Sequence, residues 1–433
     1  MEEKEEEDRI SQLPDAILQH IISFIDIKQA VQTTILSTRW QNLWFSLSDL
    51  DFSLTRLATH SRISLKNRQA SQDFSLLFAQ FVDHFLSHRD HTSTVRNFRL
   101  SFDSRHHVHV DAPFVEKCID YAINHGVQAL RLEALCRPVL RFPDSFFASN
   151  TLRELELRQF AYGIHMPKQF SLPHLKTLFL ENSAFMDDGD VYSFSKEPFS
   201  GFPELEKLTL HRCSIYGLVV SAPKLRFLEI IQEKLYSQVM GEISGSRLTS
   251  FRYEGYFPLE CSRINVPMLE DVYLNIYKKV GRFNTLRDKW MPLKCVRMLQ
   301  QLGDAKIVTL TMDTVKVLEM DRRLIEQSPS PFTNMKCLKL RKGRREIPTV
   351  LQRVMNYLTE GSIYGDESLM VEFPEGVCVV ERNLDDLFDE DSDEHQLEQL
   401  FGIEDETPSQ LRNFGVFEEL LLPKFGQDGR VTF

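Results

Sequence analysis

A six-residue pattern, apolar-x-x-apolar-x-apolar, recurs along the middle of this chain and limits what the chain can fold into more than any other feature. It runs through Val95-x-x-Phe98-x-Leu100, Val127-x-x-Leu130-x-Leu132, Leu152-x-x-Leu155-x-Leu157, Leu175-x-x-Leu178-x-Leu180 and Leu205-x-x-Leu208-x-Leu210. It continues through Leu225-x-x-Leu228-x-Ile230, Leu248-x-x-Phe251-x-Tyr253, Leu269-x-x-Val272-x-Leu274, Ile307-x-x-Leu310-x-Met312 and Met335-x-x-Leu338-x-Leu340. The last two apolar positions of each copy alternate with polar ones, so on a strand they share one face and their neighbours share the other. One copy cannot bury its own leucines, whereas stacking copies side by side does. Starts lie 20 to 38 residues apart, which leaves room for a return crossing and so predicts a parallel sheet. Pro173, Pro203, Pro223 and Pro267 each stand two residues before a copy and punctuate those crossings.

The period and the motif resemble leucine-rich repeats, which implies a solenoid with a concave parallel sheet. The Asn or Cys that closes the family's strand turn is mostly absent, with Cys213 at that place and Asn182 one residue short of it. The expectation is therefore an irregular array over residues 70–345. Around it, Phe74–Arg89 reads as an amphipathic helix with Leu77, Phe78, Phe81 and Phe85 as core. Pro113–Asn124 reads as a second helix closed by Gly126, and Thr349–Leu358 as a helix followed by a strand at Leu369–Phe373. The outward central positions are Arg99, Arg131, Glu156, Phe179, Thr209, Glu229, Arg252, Tyr273, Thr311 and Lys339. Both charges and two aromatics in one line suit a protein or peptide target better than nucleic acid.

Ahead of the array, Pro14 fits the first position of a helix and Ile17, Leu18, Ile21, Ile22 and Ile25 follow as one apolar stripe. Short helices over Lys28–Leu36 and Thr38–Trp44 follow, with Ser37 as N-cap. Two of the three tryptophans, Trp40 and Trp44, fall in this small segment. Such an apolar surplus on a module with little core of its own marks a face meant for a partner. Leu13-Pro14-Asp15, the isoleucine-rich helix and Leu36-Ser37-Thr38-Arg39-Trp40-Gln41-Asn42-Leu43-Trp44 resemble the F-box motif in its plant form. Ile25-Asp26 departs from the Leu-Pro usual there, which predicts a less sharply ended first helix.

The resemblance implies an α/β chain: a three-helix F-box over 9–55, then the irregular leucine-rich-repeat horseshoe, in the manner of plant F-box/leucine-rich-repeat proteins. It also implies docking on the Skp adaptor and, through it, a cullin, with Leu13, Pro14, Ile17, Leu18, Ile21, Leu36, Trp40 and Trp44 buried there. The repeats would then hold an unknown target protein for ubiquitination. Two rivals share the architecture, a small-molecule-gated receptor and a scaffold acting outside any ligase.

The net charge of −11 hides a polarised chain. Residues 1–8 carry −5 and residues 381–406 carry −11, leaving 44 acids against 49 bases elsewhere. The ends read as acidic flexible segments (1–8 and 381–433) around a mildly basic body, with a small cap at 346–380. Seven scattered cysteines without a C-x-x-C pair suit a reducing compartment, and the acidic start is unlike a signal peptide. With no apolar run long enough to span a bilayer, the expectation is a nuclear and/or cytoplasmic protein without membrane or nucleic-acid partners.

Catalytic motifs are missing: no H-E-x-x-H, no phosphate-binding G-x-x-x-x-G-K-[ST], no G-x-S-x-G. The expectation is a non-enzymatic chain without cofactor or metal. His106, His107 and His109, beside Asp111, read as a polar loop in preference to metal ligands. The run Lys339-Leu-Arg341-Lys342-Gly-Arg344-Arg345 reads as a solvated loop, with an import signal or an anion site as alternatives.

Overall fold

The computed structural model describes residues 10–380, except 11, 61–67, 103–108, 138–139, 160–163, 167–171, 184, 188–196, 200, 234–238, 279–289, 345–348 and 363–368, and beyond them 424–425 and 431–432. The chain divides into two units, Met1–Val380 and Glu381–Phe433. In the second, Lys424–Phe425 pairs antiparallel with Val431–Thr432.

Pro14 stands just before helix α1 (Asp15–Ile22), not inside it, in an extended conformation. Its carbonyl accepts the amides of Ile17 (2.9 Å) and Leu18 (3.1 Å), so the proline opens the helix from the cap position. α1 stops at Ile22, and Asp26, in place of the motif's usual proline, caps α2 (Ile27–Gln32) by accepting from the Gln29 amide at 3.0 Å. The second helix is shorter than expected. It tightens into a 3-10 turn at Thr33–Ile35, where the Thr33 hydroxyl donates back to the Ala30 carbonyl. The third helix, Thr38–Ser46, is 3-10 throughout, and Ser37 precedes it without making a side-chain cap bond.

The array follows without a break. Its front is a twelve-stranded parallel sheet in the order β1-β2-β4-β6-β8-β10-β12-β14-β16-β17-β18-β20. These strands are β1 (Asp49–Ser53), β2 (Asn97–Ser101), β4 (Ala129–Glu133), β6 (Glu154–Arg158), β8 (Thr177–Glu181), β10 (Lys207–His211), β12 (Phe227–Gln232), β14 (Ser250–Gly255), β16 (Asp271–Ile276), β17 (Ile307–Thr311), β18 (Cys337–Arg341) and β20 (Met370–Glu372). Each repeat motif supplies one strand. The sheet gains β1, which carries an eleventh copy, Leu47-x-x-Leu50-x-Phe52, inside the span assigned to the helical module, and β20, from the strand expected at Leu369–Phe373. Inward residues such as Leu130, Leu228 and Leu310 are completely buried, forming one continuous core.

The return crossings vary, as their uneven lengths require. Short strands pair behind the sheet in the middle: β3 (His109–Asp111) with β5 (Leu135–Arg137), β7 (Ile164–Met166) with β9 (Phe185–Asp187), and β11 (Val219–Ser221), β13 (Val239–Ser244) and β15 (Glu260–Asn265) together. Helices cover it elsewhere: α4 (Arg68–His88) and α5 (Ala112–Asn124) early, then α7 (Met291–Gln301), α8 (Met312–Glu319), α9 (Arg322–Gln327) and α10 (Gln352–Thr359) late. The shorter α3 (Leu54–His60) and α6 (Asp144–Phe147) fill out the first repeats. Gly126, at φ +76°, sits just past α5 where a left-handed residue ends the helix. In α4, Phe78 and Phe85 are core and Phe81 is half-buried, but Leu77 is exposed, one step round the helix from the buried stripe. The segment expected as a helix from Thr349 starts as β19 (Thr349–Leu351), paired with β21 (Cys378–Val380), before α10 begins.

Strand ends follow one rule through the regular middle. Gln159, Asn182 and Arg212, each the residue after β6, β8 and β10, all have positive φ. Asn182 thus sits at the turn itself, a conformation Asn tolerates. Cys213 lies one residue beyond the turn of β10, its thiol toward the Leu180 carbonyl at 3.4 Å, tying neighbouring repeats together.

Candidate partner-binding surfaces

The helical module divides its apolar residues between two roles. Leu18, Ile22, Ile27, Ala30, Trp40, Leu43 and Trp44 are buried in the chain's own core. Ile17, Ile21, Phe24, Ile25, Ile35 and Leu36 stay exposed, Phe24 at 76%, Ile35 at 86% and Leu36 at 63%. Among the residues named as partner anchors, Ile17, Ile21, Leu36 and Pro14 are thus open to solvent and Leu13 is half-buried. Leu18, Trp40 and Trp44, named with them, are buried within the chain itself. Trp44 packs its ring 4.7 Å from Phe85 of α4, and that is why a large apolar side chain turns inward at this position. Phe24 and Ile35 belong on the face although the motif did not mark them; their signal was an apolar residue off the buried stripe.

The module is held in shape by Arg39, which donates to Asp15 (2.7 and 2.9 Å) and to the Leu13 carbonyl, joining the Leu-Pro-Asp block to the Arg-Trp block. It is held to the array by Arg89, a fully buried guanidinium at the end of α4. Arg89 donates to the carbonyls of Leu47, Ser93 and Thr94 and to the Tyr121 hydroxyl, so carbonyl dipoles replace the water it lost. Ser48 accepts the Arg96 amide at 2.7 Å where β1 meets β2. The exposed face and the sheet are therefore one continuous piece.

On the front of the sheet, the backbone register sets Asp51, Arg99, Arg131, Glu156, Phe179, Thr209, Glu229, Arg252, Tyr273, Thr309, Lys339 and Glu372 side by side. Thr311 is not in this line: Tyr273 pairs with Thr309. The copy at 305–310 begins at Ala305, and Ile307-x-x-Leu310-x-Met312 satisfies the same pattern two residues late. Thr311 is 1% exposed, caps α8 by accepting from the Thr314 amide, and donates to Asn275 at 2.9 Å.

Ion pairs run along and beside the line, most of them between neighbouring strands and one within β6. Arg131 meets Glu154 (3.0 Å) and Glu156 (3.5 Å), Arg158 meets Glu156 and Glu181, Arg252 meets Glu229 (3.3 Å), and Lys339 meets Glu372 (3.1 Å). Arg158 covers the Phe179 ring at 4.4 Å and Arg252 the Tyr273 ring at 4.3 Å. Exposed pairs of this kind contribute little to stability, about 0–1 kcal/mol each, so a partner can exchange them at small cost.

The basic run after β18 is not a free cationic loop. Lys339 and Arg341 share Glu372, and Arg344 reaches across to the far ends of β12, β14 and β16. There its guanidinium meets Glu233 (2.9 Å), Glu254 (3.0 Å) and the Tyr277 hydroxyl, with its carbon 3.6 Å from the Tyr277 ring centre. Gly343 is required beside it: a Cβ there would meet the Asp313 carboxylate at 2.3 Å. Arg345 lies outside the described residues.

Burial pushes Glu233 up, but the hydrogen bonds and charges of Arg344 and Arg212 outweigh it, and its carboxyl sits below the ordinary range. Tyr277 is pushed up, first by burial, and stays protonated.

His106 and His107 lie outside the described residues, and His109 is on β3. No group of three or more metal-ligating side chains occurs among the described residues. Cys118 and Cys136 are buried, burial pushing both thiols up to about 12, so they are packing groups and not nucleophiles. Among the described residues no helix is long and apolar enough to cross a membrane.

A family model described as the F-box domain matches residues 10–51, the span that carries the open apolar face and the Arg39 clasp. The chain is similar to F-box/leucine-rich-repeat proteins. Relatives in Arabidopsis thaliana carry the same two-part description. One F-box/LRR-repeat protein is 33% identical over 223 residues, 51% of this chain and 47% of its own length. An F-box/FBD/LRR-repeat protein is 28% identical over 376 residues, 79% of this chain and 70% of its own length. A second F-box/LRR-repeat protein is 28% identical over 319 residues, covering 72% and 62%. The chain thus spans less than half the length of the first of these relatives and under three quarters of the others.

Proposed function

We propose that this F-box/leucine-rich-repeat chain is the substrate-recognition subunit of a Skp–cullin–F-box ubiquitin ligase. Its F-box docks the Skp adaptor, through it a cullin, and the concave face of the repeats holds a target protein. The observation that carries the reading is the exposed set Ile17, Ile21, Phe24, Ile35 and Leu36 within the matched F-box span, beside tryptophans that are packed inside. Large apolar side chains left in water on a small module supply the buried centre of an interface. The contribution to transfer is proximity: a held target presents its lysines at high effective concentration, and the bond-making steps belong to other subunits. A nuclear and/or cytoplasmic location accords with this reading.

The test is capture of a purified Skp adaptor by the full chain, comparing wild type with Ile35→Asp and Leu36→Asp. Each exposed anchor is expected to cost about 2 kcal/mol, a roughly 30-fold loss of affinity, with the melting transition unchanged. A folded wild type that does not bind the adaptor overturns the proposal and leaves a scaffold outside any ligase.

A further inference from the structure

The seat of Arg344 is built like a receptor for someone else's arginine. Glu233 and Glu254 come from the ends of β12 and β14, and Tyr277 from just past β16. Their partner is 67 to 111 residues away in sequence, on a loop that approaches from β18. One face of the seat is aromatic: the Tyr277 ring centre lies 3.6 Å from the guanidinium carbon, and Tyr256 braces that ring edge-on at 5.1 Å. The rim is carboxylate, and the two oxygens of Glu233 are divided. Oε2 is taken by Arg212 at 2.7 and 3.0 Å, while Oε1 faces Arg344 and the Tyr277 hydroxyl. This is how a planar cation is recognised, by stacking on a ring and forking onto carboxylates.

Among the described residues two cations, Arg212 and Arg344, meet the two carboxylates Glu233 and Glu254, and removing the Arg344 side chain takes one of those cations away. Arg344 is not sealed in, because its side chain remains 44% exposed. Its backbone is anchored separately, the amide donating to the buried Asp313 carboxylate, so the side chain can leave while the loop stays.

We propose that the seat formed by Glu233, Glu254 and Tyr277 binds an arginine side chain of a basic target segment, and that Arg344 occupies it as an internal competitor when no target is present. One guanidinium leaves as another arrives, so the exchange conserves charge. The proposal rests on the target-holding role given to the repeats and assigns the target an arginine at the strand-end rim of the concave sheet.

The test uses the full chain and a short capped peptide, acetyl-Gly-Arg-Gly-amide, beside its citrulline counterpart, which keeps the shape and lacks the charge. Calorimetric titration is made on wild type, Arg344→Ala, Arg344→Gln and Arg344→Gln/Glu254→Gln. Arg344→Gln keeps part of the stem on Tyr277, so it carries the measurement should the alanine variant not fold. The Arg344 variants are expected to bind the arginine peptide at least about 10-fold more tightly than wild type, with the citrulline peptide silent and the gain lost in the double variant. Equal binding by wild type and folded Arg344 variants, or equal binding of both peptides, overturns the proposal. Adaptor capture by the same proteins reads the ligase role separately, so failure of one is not mistaken for failure of the other.

Discussion

In the F-box, Phe24, Ile35 and Leu36 stand in water at 76%, 86% and 63% exposure, whereas in the array Leu130, Leu228 and Leu310 are completely buried. The residue types are alike, but the two regions differ in what each apolar side chain can reach. In the array every inward leucine has a copy of itself one strand away, so stacking satisfies it within the chain. The F-box has no neighbouring copy, and its helices are too short to wrap more than one core. Its stripe therefore splits: Leu18, Ile22, Trp40 and Trp44 turn inward, and Ile17, Ile21, Phe24, Ile35 and Leu36 are left uncovered among the described residues. Periodicity shows that an apolar face exists, and only the surroundings show whose face it meets.

The sharpest way to break this comparison is to truncate one residue of each kind in the same module. Trp40→Ala is expected to lower stability by about 3–5 kcal/mol, whereas Leu36→Ala stays within about 0.5 kcal/mol, as read by chemical denaturation. Equal losses would mean that Leu36 is core and the division is wrong.

A smaller effect tests the register inside the array. Thr311→Val removes a cap and the hydroxyl bonds to Asn275 and Thr314, and is expected to cost about 1–2 kcal/mol. Thr309→Val, on the line of outward residues, is expected to cost less than about 0.5 kcal/mol. The reverse order would restore Thr311 to the outward line.

The smallest effect is at the rim. The Glu233 carboxyl, held below the usual 4.5 by Arg344 and Arg212, adds stability that is present above that value and lost as pH falls through its lower folded value. Glu233→Gln is expected to narrow the fall in melting temperature between about pH 5 and pH 3, leaving the curve parallel to wild type above pH 6. A wild-type curve no steeper than the variant's would mean that the ion pairs at the rim contribute nothing there.

Much of the array was legible in the sequence because its rule is local. Strands follow from alternation, and nine of the ten outward positions read from the motif stand in line. The tenth slipped by two residues at Ile307, where two frames satisfy the pattern and Ala305 is a weak marker. A slip of two keeps the face but shifts the position along the strand, which takes the reading from Thr309 to Thr311 at the strand's end, where Thr311 is the buried cap of α8. β1 is harder to read although Leu47-x-x-Leu50-x-Phe52 spells the motif, because it falls inside the 9–55 span that the F-box resemblance claims.

By itself the sequence determined that strands would stack in parallel and that a small helical module would carry more apolar surface than it could bury. Both follow from spacing along the chain, which fixes direction and face. Only the tertiary structure decided which of those apolar residues remain outside, because Trp44 turns inward for Phe85, a residue of α4 far along the chain. It also decided that Arg344 of the densest basic run rests in an acidic, aromatic seat two to four strands away. Contacts between side chains so distant in sequence are set by how the repeats stack, and no local pattern encodes them.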